Sequence, residues 1–324
     1  MDLILQLLAN SMITGSIYGL CTIGLSLSMG QLKIMNFAHG HQIMLGGYLF
    51  YFFFNMFHFG FATSLFGAIA LGIIIGILIF TVLIKPFLSI HPLLTLVSTL
   101  ALGSILESIV SIIFGVDVKS LNLSDNKATI FLSEIQNINL TSYNLGEIYL
   151  TNLQILIITI ALIILPATSY LMHSTSLGRK IRALSIDAQS AQSLGIEKDR
   201  TILFVLALSS VLTTISGILI GLETNLQPTM GDTYTIKAFA ILVVGGISNL
   251  WGAFIAAFLL GIIENFSIGL DLADLTSLLG LKETFPNLTG SLPSGYKDAF
   301  AYVLILIILL FKPNGLFSKK QRTV

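Results

Sequence analysis

Residues 62–84 form an uninterrupted apolar stretch, ATSLFGAIALGIIIGILIFTVLI. It contains no charged residue, and residues 71–84 show none of the polar alternation that is typical of a transmembrane strand. A helix rises about 1.5 Å per residue, so around 20 residues cross a hydrocarbon core about 30 Å thick. The stretch is long enough and therefore predicts a membrane-spanning helix.

Seven further apolar runs lie along the chain, at 3–29, 37–57, 93–115, 150–172, 203–222, 238–263 and 298–311. Charged residues make up only 10% of the 324 residues, against roughly 25% in soluble domains, and 16 basic residues balance 16 acidic ones. The absence of a basic surplus argues against nucleic acid as a partner. We expect an all-α, polytopic membrane helix bundle with about eight apolar segments, embedded in lipid as a single transmembrane domain over 1–324.

The basic residues are concentrated in the loop 173–202 and in the tail 312–324. Both are expected to be cytoplasmic, with the N-terminus outside, because lysine and arginine collect in cytoplasmic loops. If the three runs after the basic loop each crossed the membrane once, the tail would lie outside. One of these runs therefore has to enter the membrane and return, or cross it twice. We predict a broken or re-entrant pair near 236–265, where Gly245, Gly246 and the next three residues interrupt the run. The alternative is a kinked helix that packs closely through its glycines.

Polar residues enter the second apolar run at a spacing of three, as Asn36, His39 and Gln42. On a helix they would share one stripe, and such a stripe in a membrane requires water, solute or polar partners. We expect them to line a translocation path, together with Gly245 and Gly246. The alternative is interhelical hydrogen bonding. No metal site is expected, because two nearby histidines without cysteine or carboxylate neighbours in the sequence do not form one.

Glu107 lies deep in the run 93–115 and is also a candidate for the path. A proton relay would need a second titratable group at mid-span, and none is evident in the predicted runs. A structural or cavity-facing role is therefore favoured for Glu107. Lys237 and Glu264 lie at segment ends and are expected to snorkel toward the membrane surface.

The loop 173–202 has the pattern of two short helices. Hydroxyl residues at 174–176 and Asp187 are N-cap residues, and Gly195 is a C-terminal stop. On the second helix Ala188, Ala191 and Gln192 share a face, which predicts a small-residue surface that a partner could approach. The alternative is a basic loop that only follows the charge rule.

Several motifs, in order along the chain, carry a family resemblance. They are Asn36-Phe37-Ala38-His39-Gly40, Met44-Leu45-Gly46, Leu177-Gly178-Arg179, Arg182-Ala183, Asp187, Ala191, Leu194-Gly195-Ile196, Gly245-Gly246, Leu250-Trp251-Gly252-Ala253 and Lys312-Pro313-Asn314-Gly315-Leu316-Phe317. Together they resemble the branched-chain amino acid ABC transporter permease family over nearly the whole chain.

The resemblance implies a permease subunit in the bacterial inner membrane. Its partners would be a second related permease, identical or different, two cytoplasmic ATPases and a periplasmic solute-binding protein. The segment coupled to the ATPase would include Gly178, Arg179, Arg182, Asp187, Ala188, Ala191 and Gly195. The sequence has no Gly-x-x-x-x-Gly-Lys-Ser/Thr phosphate loop, so we expect no catalytic residues and no cofactor on this chain, with ATP-Mg bound by the partner subunits.

The resemblance leaves the cargo open. Branched-chain or other small aliphatic amino acids are expected, but similar permeases carry urea or short amides. An alternative from another class is an ion-coupled secondary transporter, which would need coupling residues at mid-membrane. Only Glu107 qualifies as such a residue in the predicted runs.

Overall fold

The computed structural model describes residues 2–88, 92–121, 142–145, 148–269, 297–312 and 315–317. Most of the loop 116–149 and of the tail 312–324, on which the predicted orientation partly depends, lies outside these ranges. The described residues are almost entirely helical, apart from a short antiparallel hairpin of β1 (Ser142–Leu145) and β2 (Ile148–Thr151). The predicted all-α bundle is confirmed.

The helices follow the predicted apolar runs closely. They are α1 Asp2–Leu25, α2 His39–Tyr51, α3 Phe61–Ile79, α4 Lys85–Leu88, α5 Pro92–Phe114, α6 Asn152–Ser174, α7 Ser176–Ile186, α8 Ala188–Ser193, α9 Lys198–Glu223, α10 Met230–Gly245, α11 Leu250–Gly269 and α12 Lys297–Phe311. Short π-helical segments continue α1, α2 and α3, at Ser26–Gln31, Phe52–Met56 and Phe80–Ile84.

Six helices in the described part of the chain are long and apolar enough to cross a membrane. They are Ile4–Gln31, Phe61–Phe87, Leu93–Phe114, Asn152–Ser174, Lys198–Glu223 and Leu250–Ser267. The spans of α1 and α9 are 83% and 67% buried, whereas those of α3, α5 and α6 are about one-third buried or less. Helices α1 and α9 therefore form the centre of the bundle. The number of crossings stays a prediction, because α2 and α10 are shorter than these spans.

Helices α10 and α11 are the predicted broken pair. The break at residues 246–249 is sharp because Gly246 ends α10 with φ +96°, a conformation that favours glycine. The close helix packing through glycines that the kinked-helix alternative predicted is also present, since a Cβ on Gly245 of α10 would lie 2.4 Å from the Ala253 nitrogen of α11. Residues 315–317 cover the break, where Leu316 N donates to Val244 O at 2.8 Å.

The start of α10 differs from the prediction. The helix begins at Met230, eight residues before the apolar run at 238. Asp232 and Lys237 therefore belong to a helix of the bundle and not to a connecting loop. The early start of α10 thus places both charged side chains on the helix bundle.

Candidate functional site

The predicted stripe of Asn36, His39 and Gln42 is not helical throughout. Helix α2 begins at His39, so Asn36 precedes it, and the Asn36 amide donates to Gln42 Oε1 at 3.4 Å. His39 is fully buried, and its Nε2 lies 2.8 Å from the Cys21 carbonyl oxygen of α1. This contact is the interhelical hydrogen bond of the alternative interpretation. The path role of the three residues stays a prediction.

The neighbouring histidine, His41, faces two carboxylates. Its Nε2 lies 3.8 Å from Glu107 Oε2 of α5 and 3.5 Å from Asp232 Oδ1 of α10. The His41 side chain is 6% exposed, Glu107 is 29% exposed and Asp232 is 71% exposed. Three helices thus build a group of ligand atoms that all lie within 4.8 Å of one another. We call it the His41 cluster.

Glycines make room for the His41 ring. A Cβ on Gly103 of α5 would lie 2.7 Å from His41 Nδ1, and a Cβ on Gly231 of α10 would lie 2.7 Å from His41 Cδ2. Gly40 lets α2 approach α10, and its backbone N–H donates to Thr235 Oγ1 at 3.0 Å. The ring is therefore enclosed between α5 and α10, with its Nε2 directed at the two carboxylates.

This cluster was not predicted from the sequence. No carboxylate lies near His41 along the chain, because the two carboxylates come from α5 and α10. Asp232 also lay outside the predicted run because α10 starts early. An acidic residue in the first turn of a helix was the available signal, since the helix dipole favours it there.

Gly245 and Gly246 lie at the opposite end of α10 from the cluster. Thirteen residues separate Asp232 from Gly245, about 20 Å along a helix. Both glycines are buried at the break, where a Cβ on Gly30 would lie 2.1 Å from the Ile247 carbonyl oxygen. The predicted path residues therefore do not form one site, and the role of these glycines in a path stays a prediction.

The expectation that Lys237 and Glu264 snorkel is wrong. Their side chains are 7% and 0% exposed, and they form an ion pair between α10 and α11 inside the bundle. Their long separation in sequence concealed the pairing. A charged residue near the end of an apolar run can thus be a buried interhelical contact.

The loop 173–202 folds into the two predicted helices, α7 and α8. The Thr175 hydroxyl accepts from Gly178 N at 3.2 Å, and Asp187 Oδ1 accepts from Gln189 N at 2.9 Å, so both predicted N-caps are present. Gly195 follows α8 with φ +83°, as the predicted stop requires. A Cβ on Gly178 would lie 2.0 Å from the Met172 carbonyl oxygen, which shows how closely α7 packs against the end of α6.

The arginines of α7 bind the C-terminal end of α6. Arg182 donates to the carbonyl oxygens of Met172 and His173, and Arg179 donates to that of Ser174 at 3.4 Å. These carbonyls have no helical N–H to accept from, and guanidinium groups satisfy them. Both arginines therefore hold α7 in place, and their role in ATPase coupling stays a prediction.

The predicted face of α8 is accessible only in part, because Gln192 is exposed but the two alanines are not. Ala191 is buried, and Ala188 lines a small cavity with Leu32, Ile34 and Leu184, so the expected accessible face is wrong for Ala191. The exposed apolar residues flank α8 instead: Ile186 is 86% exposed and Leu194 is 83% exposed. Single exposed apolar side chains are common on protein surfaces, so by themselves these two residues mark no binding site.

The fold and the ordered loop define a polytopic helical membrane protein. The chain belongs to the family described as branched-chain amino acid transport system / permease component, which matches residues 7–309. It is therefore a transport permease subunit.

The chain is similar to curated permeases over almost its whole length. It is 26% identical to the high-affinity branched-chain amino acid transport system permease protein LivH of Salmonella typhimurium, over 98% of this chain and 96% of that one. It is also 26% identical to BraD of Pseudomonas aeruginosa, with the same coverage. Identity is 24% to a probable branched-chain amino acid transport permease protein LivH of Methanocaldococcus jannaschii, covering 96% and 91%.

Proposed function

We propose that this chain carries branched-chain or other small aliphatic amino acids across the bacterial inner membrane as the permease subunit of an ATP-driven importer. The observation that carries the proposal is the near-full-length similarity to LivH and BraD, which includes the ordered loop between α6 and α9. The N-terminus would face outward and the C-terminus the cytoplasm. Urea or a short amide is the alternative cargo.

The energy for transport would come from partner subunits. We infer two cytoplasmic ATPases that bind ATP-Mg, a second related permease and a periplasmic solute-binding protein. Alternating access would follow when the ATPases close and move the loop of each permease. This chain would contribute no catalytic group and no cofactor.

The ATPase would contact the two exposed apolar residues that flank α8, Ile186 and Leu194. Buried Ile181 and Leu184 fix α7 against the bundle, so a push on α8 would be transmitted to the transmembrane helices. The loop would thus act as a rigid connector and not as a flexible link.

Uptake by the complete transporter in proteoliposomes tests the function. With ATP inside and the loaded binding protein outside, we expect accumulation of radiolabelled leucine, isoleucine or valine, and none of urea or acetamide. The permease alone should show no uptake under a proton or sodium gradient. Gradient-driven uptake without the ATPases would contradict the proposal.

A pair of loop variants tests the docking surface. Leu194→Ser should weaken ATPase association and slow uptake, because it removes an exposed apolar contact without disturbing the fold. Gln189→Ser is the matched control, since Gln189 is an exposed polar residue of α8 outside the predicted partner face. Equal ATPase pull-down by both variants and the unaltered chain would contradict the docking role of Leu194.

A further inference from the structure

The His41 cluster has two accessible carboxylates, and one of them, Glu107, lies within the candidate membrane span Leu93–Phe114. Glu107 lies seven residues before the end of α5 at Phe114, about 10 Å along the helix. Its carboxylate is partly exposed, and that of Asp232 is largely exposed. A carboxylate directed into hydrocarbon is costly, so these groups must face water or polar protein surface.

Two serines of α5 lie beside Glu107. Ser104 and Ser108 lie three residues before it and one after it, and both are exposed. The Ser108 hydroxyl donates a hydrogen bond to the Ser104 carbonyl oxygen at 2.8 Å, so the hydroxyl oxygen remains available as an acceptor. Exposed Ile105 and Ile109 flank these side chains, so Ser104, Glu107 and Ser108 form a narrow polar strip on a helix that is otherwise apolar at its surface.

The charge of the cluster selects a cation. With both carboxylates ionised, the three groups sum to a negative charge whether His41 is neutral or protonated. The carboxylates offer only acceptors toward the exposed side, while His41 Nε2 is within reach of both. A ligand with several N–H donors and a positive charge would satisfy these acceptors.

The environment of His41 distinguishes an ammonium group from a metal ion. A metal-binding histidine almost always donates its second ring N–H to an acceptor. His41 Nδ1 is buried and has no hydrogen-bond partner among the described residues. If the proton of the neutral ring is on Nε2, no N–H is left without a partner at Nδ1. His41 Nε2 then donates toward Asp232 and is not free to bind a metal.

We propose that Glu107 and Asp232 receive the ammonium group of the cargo as it passes the permease, and that His41 positions Asp232. The proposal rests on the proposed function, because an amino acid brings a primary ammonium group and urea or an amide does not. The cargo amino acids could differ in their aliphatic side chains, since the cluster binds only the ammonium group that all of them carry.

Neutral, isosteric variants test the charge. In the complete transporter, Glu107→Gln and Asp232→Asn should each lower leucine uptake about tenfold to a hundredfold, the range for loss of one charge-assisted hydrogen bond. Asp232→Glu should restore most of the uptake. His41→Ala should raise the KM for leucine with little change in the maximal rate. Glu223→Gln is the control, because Glu223 is a carboxylate outside the cluster that accepts from Gln154.

Cysteine labelling tests the site without reference to any cargo. The only cysteine, Cys21, is buried, so Asp232→Cys offers one accessible thiol on this chain. In the assembled transporter, we expect a trimethylammonium methanethiosulfonate to label it at least tenfold faster than the sulfonate analogue, and Glu107→Gln should abolish the preference. Leucine with the binding protein and ATP should slow the labelling.

The outcomes separate the two proposals. If the unaltered transporter accumulates no amino acid but the thiol is accessible and selects the cationic reagent, the proposed cargo fails and the cation site stands. If leucine is accumulated but the neutral variants transport normally, or the thiol is unreactive, the site is overturned and the function stands. Saturable binding of Mn²⁺ or Zn²⁺ to the purified permease that is lost in His41→Ala would overturn the ammonium site in favour of a metal site.

Discussion

Lys237 Nζ lies 3.2 Å from Glu264 Oε1 in the interior of the bundle, where both side chains are buried. The Tyr18 hydroxyl accepts from Lys237 Nζ at 2.7 Å and donates to Glu264 Oε2 at 2.6 Å. The three groups connect α10, α11 and α1. Transfer of two charges from water is costly, and their mutual attraction and the tyrosine offset that cost only while all partners are present.

Removal of one charge of this pair should therefore destabilise the permease severely. We expect Lys237→Met and Glu264→Gln each to lower the free energy of unfolding by about 3–5 kcal/mol, because the remaining partner stays buried with an incomplete set of contacts. Thermal unfolding of the purified permease in detergent measures the loss. Lys85→Met is the matched control, since Lys85 pairs with Asp199 at 2.7 Å at an exposed position. It should cost less than about 1 kcal/mol.

The double variant Lys237→Met with Glu264→Gln shows whether the two charges are coupled. Removing both leaves neither charge of this pair buried without the other, so the double variant should be more stable than either single one. A loss equal to the sum of the two single losses would mean that the pair does not act as a unit.

Gly315 is held against the break between α10 and α11. Its φ is +87°, and a Cβ there would lie 2.7 Å from the Gly246 Cα. Gly315→Ala combines a left-handed backbone, costing about 1–2 kcal/mol, with a backbone clash. We expect a lower melting temperature and weaker protection of the Leu316 amide from hydrogen exchange.

Gly115→Ala is the control for that clash. Gly115 has φ +82°, and nothing lies within 4 Å of a Cβ placed there. It carries the backbone strain alone and should lower the melting temperature less than Gly315→Ala. Equal losses would show that the contact over the break contributes nothing.

The sequence predicted the features that depend on neighbouring residues. Apolar runs gave the long helices, and the caps at Thr175 and Asp187 and the stop at Gly195 followed from local hydrogen bonding and φ. The break near Gly246 was also a local signal, because two consecutive glycines weaken a helix and glycine readily adopts the positive φ that ends α10.

The features that depend on packing between distant helices were not predictable in the same way. Lys237 and Glu264 each look like a charge near a membrane surface until α10 and α11 are placed side by side. His41 was judged by its neighbours in sequence, whereas its contacts come from α5 and α10. Hydropathy placed the start of α10 too late, because Asp232 and Lys237 are polar yet helical.

The N-cap of α8 depends on an ionised Asp187. The Ser190 hydroxyl, together with the amides of Ser190 and Gln189, holds the pKa of Asp187 below its usual range. A lowered pKa means that the carboxylate stabilises the folded loop above its ordinary value of about 3.9 and loses this effect as the pH falls below it. Asp187→Ala should therefore speed hydrogen exchange over residues 189–193 at neutral pH. Asp187→Asn keeps an acceptor but loses the charge, so its exchange should be slower than in Asp187→Ala and faster than in the unaltered chain. Fast exchange in both variants would show that the charge, and not the acceptor, holds the cap.

Gly103 leaves room for the His41 ring and thereby allows the observed distances between His41 Nε2 and the two carboxylates. A Cβ on Gly103 would lie 2.7 Å from His41 Nδ1, so Gly103→Ala should push the ring away from α5 and toward Asp232. Overpacking of this kind costs about 1–3 kcal/mol, and we expect a matching fall in melting temperature together with slower leucine uptake. Gly67→Ala is the control, because its Cβ would meet only the Phe53 ring, at 3.1 Å, away from the cluster. The pair of variants separates packing from transport: if Gly103→Ala lowers uptake no more than Gly67→Ala at equal amounts of assembled transporter, the position of His41 does not matter to the cargo.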